Sequence, residues 1–120
     1  MNADFPRNSG SRILASMPAT FSTTECPAAI VQDVAHAVGH LSSIPGVSRI
    51  WLFGSAARHR PLDWRSDLDF AVEGLPLGRE FQAWSELDEI TSRPIDLIRC
   101  EDASPLLRSE IQKGILIYEA

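Results

Sequence analysis

The stretch that most restricts the fold runs from Leu52 to Val72: Leu-Phe-Gly-Ser-Ala-Ala-Arg-His-Arg-Pro-Leu-Asp-Trp-Arg-Ser-Asp-Leu-Asp-Phe-Ala-Val. Arg49 to Phe53 reads as a buried strand that stops at Gly54-Ser55. The Ala-Ala-Arg that follows could start a helix, and a polar, Pro-containing loop leads to Asp67-Leu68-Asp69-Phe70-Ala71-Val72. In a strand, successive side chains point to opposite faces, so Asp67 and Asp69 share one face and Leu68 and Phe70 the other. Two neighbouring carboxylates repel each other and give up hydration, which calls for a divalent cation.

A strand ending in Gly-Ser before a helix presents unpaired backbone N–H groups, which favour an anion. Gly54 permits close backbone approach and Ser55 adds a hydroxyl donor. Either feature has a plain alternative, since Gly-Ser marks many turns and an acidic pair can end a solvated strand. Together and in this order they describe one pocket, with a triphosphate cradle beside a pair of metal-binding carboxylates.

Gly54-Ser55, eleven intervening residues and Asp67-Leu68-Asp69 resemble the signature of the DNA polymerase β-type nucleotidyltransferase superfamily. The short chain resembles its minimal nucleotidyltransferases. The likeness runs from about Val47 to the C-terminus and takes in Pro94-Ile95-Asp96-Leu97-Ile98 and Leu107 to Glu119. One position departs from it: His59 follows Arg58 where the family often has Gly. The resemblance implies an α+β fold, a small mixed β-sheet with helices packed against it. It also implies a third carboxylate at Asp96.

The 120 residues suit one domain, and 44% hydrophobic content allows a small core. A net charge of −5 is unsuited to gripping a nucleic-acid backbone, so no direct nucleic-acid contact is expected. Arg58, His59, Arg60 and Arg65 cluster in the motif loop. They read as a solvated loop, as counter-charge for phosphates, with Arg58 in the nucleotide site, or as a docking edge for an acidic partner. Cys26 and Cys100 lack metal-type spacing and read as reduced thiols. With no signal peptide and no membrane span visible, a cytoplasmic protein is expected.

Residues 1–24 read as a flexible tail, or as a short docking segment through Phe5, Ile13, Leu14, Met17 and Phe21. Residues 25–120 form the expected domain. A first helix starts at Pro27, with Val31, Val34, Ala35, Val38 and Leu41 at helical spacing. His36 and His40 share one of its faces and are expected at the surface. Arg79 to Ile90 forms a second helix whose Phe81, Trp84, Leu87 and Ile90 are expected in the core. Ile95 to Arg99 is a strand with an acid inside it. A buried Asp96 needs a partner, either Arg93 or the site of Asp67 and Asp69. Ser104 and Pro105 open a third helix with Leu106, Leu107 and Ile111 on its apolar side. Gly114 is read as its stop and Ile115 to Tyr118 as the last strand.

The chemistry expected is transfer of AMP from ATP, with Asp67, Asp69 and Asp96 as catalytic residues and ligands of two Mg2+ ions, and Gly54, Ser55 and Arg58 on the phosphates. The resemblance implies an antitoxin that modifies a hydroxyl of a HEPN-type toxin partner. Two other readings stand beside it: a non-catalytic module neutralising its partner by contact, and a small-molecule nucleotidyltransferase of the aminoglycoside-modifying kind. The latter enzymes carry an additional substrate-binding domain, for which this chain has no room.

Overall fold

Strand β1 (Arg49–Phe53) is an interior strand with both edges paired. Its Ile50 and Leu52 are fully buried, while Trp51 and Phe53 face the other side. It lies antiparallel to β2 (Leu68–Glu73) on one edge and to β4 (Ile115–Glu119) on the other. β2 also pairs in parallel with β3 (Ile95–Arg99), giving a mixed sheet in the order β3-β2-β1-β4. The computed structural model describes residues 30–57 and 67–120, without the side chains of Ser55 and Ala56. The 1–24 segment, Cys26, Pro27 and the arginines of the motif loop lie outside the described residues.

One sheet face carries the main core. Leu68, Phe70 and Val72 of β2 meet Val34, Val38 and Leu41 of helix α1 (Val31–Ser42) and Ala83 and Leu87 of helix α2 (Glu80–Ile90). At about 1.5–3 kcal/mol per fully buried large apolar side chain, this layer dominates the fold's stability. α2 supplies the crossover that parallel β2 and β3 require. The indole of Trp84 donates to the Ile95 carbonyl at 2.7 Å, tying α2 to the start of β3.

The opposite face carries a smaller cluster of Ala71, Ala103 and Ile111, with Trp51, Phe53, Ile98 and Leu107 packed on it. Helix α3 (Pro105–Gln112) covers this cluster. Its Ser104 cap is as expected: the hydroxyl accepts from the Leu107 N–H at 3.2 Å, and Pro105 occupies the first turn.

Four expectations need correction. Phe81 is 77% exposed and Ile90 44%, so only Leu87 and part of Trp84 from the proposed stripe enter the core. Steps of three residues advance 300° around a helix, so Phe81 and Ile90 end half a turn apart and cannot share a face. Leu106 is 77% exposed for a related reason: it is adjacent to Leu107 and five residues from Ile111, off the face those two share. His40 is part-exposed, as a surface histidine would be, but it is not free: its Nε2 lies 2.7 Å from Glu86 Oε1 and links α1 to α2. Asp96 is exposed on the edge strand, so it is not the buried acid that its apolar neighbours suggested.

One buried acid was not anticipated. Asp33, in the first turn of α1, accepts from the Ser92 N–H at 3.0 Å and from its hydroxyl at 2.6 Å. Among the described residues no helix is long and apolar enough to cross a membrane. The Cys100 thiol is pushed up to about 11, mainly by burial and then by Glu101 and Glu73. As a thiol it is therefore protonated at neutral pH and a poor nucleophile.

The two α2 positions give a direct stability test. Leu87→Ala removes a fully buried side chain and should cost about 2–5 kcal/mol. Phe81→Ala should stay within about 0.5 kcal/mol of the parent, as exposed positions usually do. Urea denaturation of both variants measures the contrast; equal losses would put Phe81 in the core after all.

Candidate functional site

The site is assembled where β1 ends. Phe53 is in register with Asp69 across the antiparallel β1–β2 pair, and Asp69 with Asp96 across the parallel β2–β3 pair. Side chains in register lie on the same face, so Asp69 and Asp96 are neighbours on the face that carries the smaller cluster. Ala71 and Ile98 lie two residues further along on that face, which fixes the direction of both carboxylates by burial.

Beyond Phe53 the chain turns through a 3-10 helix, Gly54–Ala57, rather than the start of an α-helix. Gly54 has φ +74°, the left-handed region that L side chains rarely adopt. A Cβ at this position would collide with Oδ2 of Asp69. The Gly-Ser turn and the Asp-x-Asp strand are thus in van der Waals contact, as their order in the sequence suggested. The side chain of Ser55 and the whole of Arg58, both expected on the phosphates, lie outside the described residues.

Asp69 is the electrostatic centre of the site. Its carboxyl is pushed up to about 6, first by burial and then by the charges of Asp96 and Asp67. Asp67 is exposed just ahead of β2. Among the described residues no three His, Cys, Asp or Glu side chains are grouped so as to hold a metal ion. Asp69 thus feels the charges of both Asp96 and Asp67, but the three do not close a cage. This donor set still suits Mg2+, which prefers oxygen ligands. It commonly takes one or two carboxylates and completes its shell with substrate phosphates and water.

On another side of Gly54 is a cavity of about 390 Å3 lined by Gly54, Glu110, Lys113 and Gly114. Sequence reasoning took Gly114 for a helix stop. In the structure its missing side chain matters for another reason: a Cβ there would strike the Leu52 carbonyl and Phe53. Gly114 thus brings the end of α3 against the end of β1, beside the site. Lys113 was not singled out as a site residue; the available signal was that it is the chain's only lysine.

A family model described as polymerase beta, nucleotidyltransferase, matches residues 39–120. No curated protein matches the chain. Among solved structures, the chain resembles one from a toxin–antitoxin complex with AMP-PNP, at 21% identity and a TM-score of 0.60 over 73% of this chain and 72% of that one. It also resembles a chain of the MntA–HepT toxin–antitoxin, at 20% identity and a TM-score of 0.53 over 72% and 68% of the two chains. A third likeness is to a complex of a tri-AMPylated Shewanella oneidensis HEPN toxin with MNT antitoxin. There the identity is 21% and the TM-score 0.52, over 67% of this chain and 63% of the other. At these identities the shared property is the fold.

The raised Asp69 carboxyl predicts a pH dependence. Between the unfolded value near 4 and the folded value of about 6, the native state holds the proton more tightly. Stability should therefore fall as pH rises through that window and stay lower above it. In metal-free buffer at pH 7, Asp69→Asn should melt at a higher temperature than the parent, and the difference should vanish near pH 4. Differential scanning calorimetry at the two pH values decides this; a variant less stable at pH 7 would contradict it.

Proposed function

The chain belongs to the polymerase beta nucleotidyltransferase family, and we propose that it is an antitoxin that transfers AMP from ATP to a hydroxyl of a HEPN-type toxin. The observation that carries this reading is the register of Asp69 with Asp96 beside a turn whose glycine touches Asp69. Acids this close to an anion-binding turn suit a substrate that brings phosphate and cation together. The choice of a toxin as acceptor draws on the fold likeness to chains from complexes with AMP-PNP and with an AMPylated HEPN toxin.

In this reading Asp67, Asp69 and Asp96 would hold Mg2+, with phosphate and water completing its shell. A divalent cation held there would supply the positive charge that a triphosphate and its leaving group need. The backbone of the Gly54–Ala57 turn and the Ser55 hydroxyl hold the β- and γ-phosphates, and Arg58 adds counter-charge. Asp69, half-buried and ionised above pH 6, supplies fixed negative charge at the mouth. Asp96, exposed on the edge strand, faces the side from which a separate protein can approach. The acceptor oxygen attacks the α-phosphorus, the bond from that phosphorus to the bridging oxygen breaks, and pyrophosphate departs. The acceptor's proton passes to Asp96 and on to solvent. Dependence on ATP puts the proposed reaction in the cytoplasm.

The experiment is co-expression with the HEPN-type partner, followed by mass spectrometry of that partner. One or more adenylate additions are expected. They should be lost when Asp67 and Asp69 are both changed to Asn, while the complex still forms. A partner that is unmodified yet fully neutralised would replace enzymatic transfer with silencing by contact.

A further inference from the structure

A triphosphate carries several negative charges, and the described part of its proposed site is acidic. Asp69, Asp96 and Asp67 interact electrostatically on one side of Gly54, and Glu110 lines the cavity on another. Cations are needed to make such a site attractive to phosphate. Lys113 is the one cationic side chain among the described residues lining that cavity, and the chain has no other lysine.

Its position is built by the fold. The end of α3 is held to β1 because Gly114 leaves room for the Leu52 carbonyl and Phe53. Lys113 directly precedes that contact and closes the helix: its N–H reaches the Ser109 and Glu110 carbonyls, and the Gly114 N–H reaches that of Ile111. Its side chain is 71% exposed, and its ammonium lies 3.4 Å from the carboxylate of the partly exposed Glu110, a long contact. Such a pair contributes little and yields to a stronger anion. Lysine is moreover a flexible point charge that suits phosphate.

We propose that Lys113 is a positioning residue for the β- and γ-phosphates of the nucleotide, acting across the Gly54 cavity, with Glu110 holding it in reserve when no phosphate is present. The inference rests on the nucleotidyl-transfer reading. Lys113 also offsets the partial negative charge at the end of α3. A role confined to the helix would leave phosphate affinity unchanged, so the two are separable.

Calorimetry with Mg2+ and three probes, AMP-PNP, inorganic tripolyphosphate and adenosine, tests this on the full chain. Lys113→Gln should weaken AMP-PNP and tripolyphosphate about ten-fold and leave adenosine unchanged, the effect of losing one charge-assisted contact. Lys113→Arg should stay within about three-fold of the parent, since the charge is kept. Glu110→Gln should tighten both phosphate probes by about two- to three-fold, because it removes a competing anion. AMP-PNP affinity for Lys113→Gln within two-fold of the parent would overturn the inference. So would a loss in that variant with no gain in Glu110→Gln. If the parent binds AMP-PNP and adenylylates its partner in either case, only this inference falls. If the parent binds no AMP-PNP, the transfer reading falls with it.

Discussion

The structure depends on a sheet that holds two carboxylates side by side against their repulsion. Asp69 and Asp96 are in register on adjacent parallel strands. Like charges placed directly across a sheet cost up to about 1 kcal/mol. On the other face of the same strands, Leu68, Phe70, Val72 and Ile95 are buried, at about 1.5–3 kcal/mol each. Burial outweighs repulsion, and slipping the register by one residue would turn those side chains out of the core. The apolar face thus pins the acidic one, and the site's strain is carried by side chains remote from it.

The glycines at the end of β1 show how the backbone shapes the same site. Gly54 takes a left-handed conformation with its Cα against Asp69. Gly114 admits the end of α3 to within contact of Phe53, the residue just before that turn. Three chain segments distant in sequence therefore meet at one point. A side chain at either glycine would force them apart, so both positions matter to the site through what they lack.

The helices illustrate why an apolar pattern is not the same as a buried face. In α2 the residues that reach the core are Ala83 and Leu87, with part of Trp84, while Phe81 remains outside and stacks obliquely on Trp84 at 5.9 Å between ring centres. Phe81 and Trp84 line an open cavity of about 440 Å3 together with Glu80, Leu97 and Asp96. The aromatic surface thus runs up to the carboxylate on the edge strand.

Much was legible from the sequence alone. The bounds of β1 and β3, the Ser104–Pro105 helix start, the α+β class and the family follow from local patterns and from the Gly-Ser and Asp-x-Asp spacing. These are short-range properties: alternation, capping chemistry and a motif contained in one stretch. The pairing of Asp69 with Asp96 is different, because twenty-six residues, a crossover helix among them, lie between the two acids and only the assembled sheet sets their register. The same holds for Asp33 with Ser92 and His40 with Glu86, whose partners come from other elements. Exposure of Asp96, Phe81 and Leu106 depends on which edges and faces the other elements leave uncovered. Sequence determined which chemical groups the chain carries and the elements that bear them; tertiary packing decided which groups meet, because burial acts on whole faces rather than on residues one at a time.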